Sequence, residues 1–219
     1  PIEVLDMITA MDVEEYLSYL ESYTKDGKLY TNREEGKARK LSSLKSFYDY
    51  YFKKNLIRTN PPRQVDVPKI KSKNIIRLDP NEIAQLLDEA ESGEKLSGRQ
   101  LASHEKTKVR DVAILTLLLG TGIRVSECVG LNLEDVDFNN GAIRIIRKGG
   151  NEALIYFGDE VSQALEAYMN GPRKKDEPAA GHEEALFISL NKTRITTRSV
   201  ERLVKKYSRL VTTVKKITP

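Results

Sequence analysis

This chain of 219 residues has one cysteine, two histidines and no tryptophan. A single cysteine excludes an internal disulfide framework, and Cys128 sits in an apolar helical stretch that marks it as core. His104 and His182 both fall in stretches that read as loops, and no zinc spacing exists around them. No apolar run approaches the roughly 18 residues a membrane helix requires. The opening "PIEVLDMITAMDVEE" has no basic segment ahead of an apolar one, so a secretory leader is not expected. A reducing, cytoplasmic setting without a membrane partner follows as the expectation. Gly120 and Gly122 complete neither a dinucleotide nor a phosphate-loop signature, because Arg124 and Val125 stand where glycines are needed. No serine lies in a nucleophile-elbow sequence. Asp135 and Asp137 in "LEDVDF" lack a third placed acid, and they read as the entry to a strand rather than a metal site. No metal and no cofactor are therefore expected.

What the chain does have is charge, in blocks. Net charge is only +4. Yet residues 33–58 hold Arg33, Lys37, Arg39, Lys40, Lys45, Lys53, Lys54 and Arg58 against Glu34, Glu35 and Asp49. Residues 68–77 hold Lys69, Lys71, Lys73 and Arg77 with no acid, and residues 192–219 hold nine bases and one acid, Glu201. The acids collect elsewhere. Any one block reads as a solvated helix face; three together point to a polyanion, and nucleic acid is the expected partner.

Hydrophobic periodicity predicts helices at two places in the first third. Asp12 with Glu15 reads as a capping box opening "DVEEYLSYLESY". "TKDGKLY" reads as a loop. Thr31 with Glu34 repeats the box before a long helix to about Asn55, with Leu41, Leu44, Tyr48, Tyr51 and Phe52 on one side. "NPPRQVDVPKIKSK" is expected to end helicity and to serve as an extended, basic linker. The organisation expected is therefore a helical domain at 1–62, a linker at 63–78 and a second domain at 79–219. Asp79-Pro80 reads as a helix start, with Ile83, Leu86, Leu87 and Ala90 inward. "ESGEKLSGRQLASHEKTK" reads as a polar loop. Val109–Leu119 is apolar nearly all round and is expected to be the central helix, stopped at Gly120. "AIRIIR" and "EALIYF" flank "KGGN" as a hairpin, with a turn at Asn139-Asn140-Gly141 before them. A helix from Asp159, a buried strand "ALFIS" and a last helix capped by Thr197, with Tyr207 in its core stripe, complete the reading.

Two cations stand apart. Arg124 follows the tight turn "GTGIR", where a guanidinium can fork onto two phosphate oxygens, with Glu127 three residues on. The plainer alternative is a surface arginine paired with a helix-turn glutamate. Lys148 sits at a hairpin tip beside Gly149 and Gly150, where it can swing against a backbone phosphate and donate a proton. The plainer alternative is an ordinary polar tip.

Their order along the chain settles more than either alone. An apolar helix, "GTGIRVSE", an "L-x-L-x-x-x-D" step, a strand, "KGG", a strand, a helix and "TRSVERLVKKY" together resemble the tyrosine recombinase (phage integrase) family, in its Xer-like branch. "ARKLSSLKSFYDYYFKKNLIRTNPP" resembles that family's core-binding helix and linker. The resemblance implies a mainly α fold with a small β-sheet: a helical, SAM-like core-binding domain and a mixed α+β catalytic domain around duplex DNA. It implies Arg124 as the first active-site arginine, Glu127 as its support, and Lys148 as general acid for the leaving 5′ oxygen. The implied reaction cuts DNA through a phosphotyrosyl intermediate, with fixed cations rather than a metal neutralising the phosphorane. The implied assembly is a tetramer on two duplexes. Arg39, Lys40, Ser43 and Lys45 are expected at a groove, Lys71 and Lys73 along the backbone, and Thr197, Arg198 and Ser199 at a phosphate.

The chain also departs from the pattern. The family's His-x-x-Arg box and nucleophilic tyrosine follow a Thr-Pro like Thr218-Pro219, and neither is here. The family's first core-binding helix is also missing. The expectation is a fragment incomplete at both ends, with no nucleophile of its own, that binds DNA and does not cleave it. The alternative is a non-catalytic DNA-binding protein that keeps the fold. The positions of Arg124, Glu127 and Lys148 favour the enzyme, since binding alone needs none of them there.

Overall fold

Residues 2–70, 76–147, 149–212, 215 and 217–219 are described in the computed structural model. The chain separates into two units, residues 1–74 and 75–219. Lys71, Lys73 and Lys148 lie outside the described residues. The fold is mostly helical with two small antiparallel sheets. No helix among the described residues is long and apolar enough to cross a membrane.

In the first unit a short 3-10 turn, Ile2–Met7, precedes α1, Ala10–Tyr19. The cap is Thr9 and not Asp12. Thr9 Oγ1 accepts from the Asp12 N–H at 3.3 Å, and the Asp12 carboxylate accepts from the Thr9 N–H at 2.7 Å. Asp12 is thus the inner partner of the box, which begins one turn earlier than the spacing predicted. "TKDGKLY" is not a loop but a hairpin, β1 Ser22–Lys25 against β2 Lys28–Thr31. Asp26 and Gly27 take φ of 51° and 71°, the two left-handed positions of a two-residue turn. Tyr23 and Tyr30 stack across the strands at 5.4 Å, and Tyr19 continues the stack at 5.1 Å. The ring pairs, and not apolar alternation, hold this exposed hairpin.

Thr31 ends β2, so the second expected capping box does not form. The long helix α2, Glu34–Lys53, starts after Arg33 with no side-chain cap. "NPPRQV" is not extended throughout: α3, Pro61–Gln64, is a helical turn with prolines in its first positions. Pro61, Pro62 and Val65 are buried, so the chain is still core where a linker was expected from 63. The core joins Val13, Leu17, Leu20, Leu41 and Val65.

The second unit opens as the sequence predicts. Asp79 caps α4, Pro80–Ser92, in a reciprocal box with Glu82. The stretch read as a polar loop is largely helix, because α5 runs from Arg99 to Thr121. Its inward residues there are His104, Thr107 and Asp111, polar groups linked by hydrogen bonds, although His104 Nε2 is buried without a partner among the described residues. An apolar pattern cannot register such a face, and His104 is buried rather than in a loop. The sheet β3 (Val136–Asp137), β4 (Ala142–Ile146) and β5 (Glu152–Tyr156) is antiparallel in that order. Ile143 and Ile145 face the core while Arg144 faces outward to Glu134 and Asp135. α7, Asp159–Tyr168, packs on α5. "ALFIS" is buried from Ala185 to Ile188 but forms only isolated bridges, to Asn132 and Arg194, and not a ladder strand. The last helix, α8, spans Thr197–Val211, and Thr196 rather than Thr197 caps it.

Candidate functional site

The site grows from the end of α5. Gly122 closes that helix in the left-handed conformation, φ 65°, which turns the chain sharply without the penalty a Cβ imposes. Ile123 then drops into the core, and Arg124 stands at the N-cap of α6, Val125–Gly130, with extended backbone. Burial of Ile123 on one side forces the next side chain outward.

The Arg124 side chain is 71% exposed while that of Glu127 is 6% exposed. One Glu127 oxygen accepts from the Arg124 backbone N–H at 2.8 Å, and the other from Arg124 Nη1 at 3.0 Å. A buried carboxylate therefore grips both ends of one exposed residue. Burial pushes the Glu127 carboxyl up, but the two bonds from Arg124 and the charges of Arg124 and Arg147 outweigh it. Its pKa lies below the ordinary value. Arg124 keeps its remaining guanidinium donors for something outside.

Arg124 opens into a cleft of about 950 Å³. One wall is the turn from Gly122 to Ser126. The other is one face of α8: Thr197, Glu201, Lys205, Ser208 and Arg209. The four-residue spacing of Thr197, Glu201, Lys205 and Arg209 stacks them along one stripe. The opposite stripe, Val200, Leu203, Val204 and Tyr207, is buried. Among the described residues Lys205 and Arg209 form no ion pair, whereas Lys215, also on the cleft, is held by Glu82. The cleft is therefore lined by Arg124, paired with Glu127, and by Lys205 and Arg209, which form no ion pair among the described residues.

The sequence-predicted residues divide. Arg124, Glu127 and Thr197 converge on this unit's cleft or its rim. Arg198 is exposed at the first turn of α8. The Ser199 N–H donates to Thr196 Oγ1 at 3.2 Å, the bond by which Thr196 caps the helix. In the first unit Arg39 is exposed and Lys40 half-buried. Ser43 Oγ donates back to the Arg39 carbonyl at 3.1 Å. Lys45 Nζ donates to the Val65 carbonyl at 2.8 Å, at the end of α3. Asp135 and Asp137 are occupied by Arg144 and by the turn amides of Asn139 and Asn140. Lys205 and Arg209 were missed, although their spacing opposite the apolar stripe was readable.

Two tyrosines of the second unit are core residues. Tyr168 and Tyr207 are 1% and 0% exposed, and burial pushes both phenols up. Tyr207 OH donates to Asp111 Oδ2 at 3.1 Å and meets His104 Nδ1 at 3.0 Å. Cys128 is fully buried, its thiol pushed up to about 12 by burial, and so inert.

Comparison with known proteins gives these residues a setting. A family model described as the phage integrase family matches residues 76–219. The tyrosine recombinase XerC of Thermodesulfovibrio yellowstonii is 36% identical over 184 residues, covering 83% of this chain and 58% of that protein. The XerC of Caldanaerobacter subterraneus subsp. tengcongensis is 30% identical over 204 residues, covering 93% and 52%. The chain thus spans between half and three-fifths of these relatives. Among solved structures, XerA recombinase superposes with a TM-score of 0.55 at 25% identity, over 98% of this chain and 66% of that one. The Tn1549 transposon integrase, in complex with circular intermediate DNA, superposes with a TM-score of 0.65 at 23% identity, over 96% and 66%.

Proposed function

The chain belongs to the phage integrase family, and on that premise we propose that it is the core-binding and partial catalytic region of a site-specific DNA recombinase. Such an enzyme cuts one DNA strand through a phosphotyrosyl bond and rejoins it to a new partner. The observation that carries the reading is the exposed Arg124 guanidinium, anchored by buried Glu127 and facing the cations of α8 across one cleft. A pure binding surface needs exposed charge but no buried carboxylate to fix it. A phosphoryl-transfer site needs both, because its donors must already point where charge develops.

In this reading Arg124 forks onto the non-bridging oxygens of the scissile phosphate. Lys148, the next residue after Arg147, protonates the leaving 5′ oxygen. Thr197 and Arg198 take a neighbouring phosphate, and Lys205 and Arg209 extend the contact along the duplex. Arg39 and Lys40 contact DNA from the first unit, and Lys71 and Lys73 follow the DNA backbone. Residues 1–62 act as the core-binding domain and 79–219 as the catalytic one. The attacking tyrosine belongs to the parent protein and to no residue of this chain. The active species is a tetramer on two duplexes in the cytoplasm, with no metal or nucleotide.

The test is a trap. The full-length parent is incubated with nicked duplex substrates, and protein covalently joined to DNA is resolved on a denaturing gel. A tyrosine-linked adduct that disappears with Arg124→Ala supports the reading. Tight duplex binding with no adduct from the intact parent would leave a non-catalytic DNA-binding protein instead.

A further inference from the structure

Arg194 lies in the turn that leads into α8, three residues ahead of it, and was singled out by no motif. Its Nη1 donates to three consecutive carbonyls: Val129 at 3.1 Å, Gly130 at 3.0 Å and Leu131 at 2.7 Å. Its Nη2 donates to Asn132 Oδ1 at 2.5 Å. These carbonyls are the open C-terminal end of α6, the helix that carries Arg124 at its other end.

The physical need is plain. α6 has six residues, too few to hold a helix by itself. Its N-terminal end is tied by Glu127 to the Arg124 amide. Its C-terminal carbonyls carry the negative end of the helix dipole and lack intrahelical partners. A planar, permanently charged guanidinium answers both wants at once. The backbone around it is itself fixed: Arg194 bridges Ile188, and the Ile195 N–H donates to the Phe187 carbonyl at 2.9 Å. Arg194 therefore ties the approach to one cleft wall, α8, to the far end of the other, α6.

We propose that Arg194 is a positioning residue for Arg124, clamping α6 from its C-terminal end so that the cleft keeps its width and Arg124 its aim. The proposal rests on the recombinase reading for its effect on catalysis, and on geometry alone for its effect on α6. Misplacing a reacting group by about 1 Å costs on the order of 10²-fold in rate. Single-turnover cleavage by the parent protein carrying Arg194→Ala therefore falls on the order of 10²-fold at saturating DNA, with duplex affinity held within about threefold. Guanidinium ion added at millimolar concentration restores part of the rate, as it would not for a residue that merely stabilises the fold. Arg194→Lys, whose single ammonium lacks the planar fork, falls between the two.

Amide hydrogen exchange reads the clamp without any catalysis. The Cys128 N–H, bonded to the Arg124 carbonyl at 2.9 Å, and the Arg124 N–H itself lose protection in Arg194→Ala, while α5 amides keep theirs. Unchanged exchange in α6 together with wild-type cleavage overturns the proposal. So does a uniform loss of protection across the unit in both Arg194→Ala and Arg194→Lys, with binding and cleavage falling in parallel. If the unaltered parent forms no covalent adduct, the recombinase reading fails, and the exchange result still judges the clamp by itself.

Discussion

At the residue scale the chemistry concentrates in one pair. Arg124 is exposed because Ile123 beside it is buried, and it is held because Glu127 is buried beneath it. On the recombinase reading proposed above, Arg124→Ala in the parent protein is expected to slow cleavage by on the order of 10²- to 10³-fold, with a much smaller effect on DNA affinity. Gel quantification of covalent adduct beside anisotropy binding curves checks this. The pair also sets a pH dependence. The Glu127 carboxyl titrates below its ordinary value, so its contribution is complete above the unfolded glutamate pKa and disappears as pH falls through the lower folded value. Protection of the Arg124 amide should follow that acid limb in wild type. In Glu127→Gln the limb should be absent, because an amide keeps an acceptor but has no proton to gain. This pair was legible in the sequence, since an arginine after a glycine turn and a glutamate three residues on is a purely local pattern. The bond from Lys45 to the Val65 carbonyl was not legible, because packing brings that carbonyl near and no spacing encodes it.

At the element scale α8 is the second wall of the site. Its buried stripe was readable from periodicity, whereas the partners of its inward polar groups were not. Tyr207 reaches Asp111 and His104 on α5, and Lys206 Nζ donates to the same hydroxyl at 3.0 Å. Tyr207→Phe removes that hub and leaves buried polar groups short of partners. A loss of about 1–3 kcal/mol in unfolding free energy is expected, measured by urea denaturation. On the outward stripe, Lys205→Ala and Arg209→Ala should leave folding intact. Each should lower the slope of log affinity against log salt by about 0.9 if its cation neutralises one phosphate, as salt-series anisotropy on a short duplex would measure. An unchanged slope would remove that residue from the DNA path. The β1–β2 hairpin and the start of α5 were the elements hidden from the sequence. One is held by stacked tyrosines, the other by hydrogen-bonded polar residues, and neither presents an apolar rhythm.

At the scale of the whole molecule the two units have separate cores, with Leu41 at the centre of the smaller and Ile114, Leu117 and Leu165 in the larger. Calorimetry should resolve two unfolding transitions. Leu41→Ala, at a site with no exposure, should weaken one of them by about 2–5 kcal/mol and leave the other in place. A single transition that shifts as a whole would mean that the units unfold as one.

The amino-acid sequence by itself determined the family, the mainly helical class, the Asp79 helix start, the β4–β5 hairpin and the arginine turn. Each rests on hydrogen bonds and turn conformations within a few residues of chain, or on an order of such motifs along it. Only tertiary structure decided that Arg124 faces Lys205 and Arg209, that His104 is core, and that Arg194 caps the helix below Arg124. Those meetings depend on how buried faces pack. A guanidinium finds its carbonyls through space, at distances that the spacing of letters does not record.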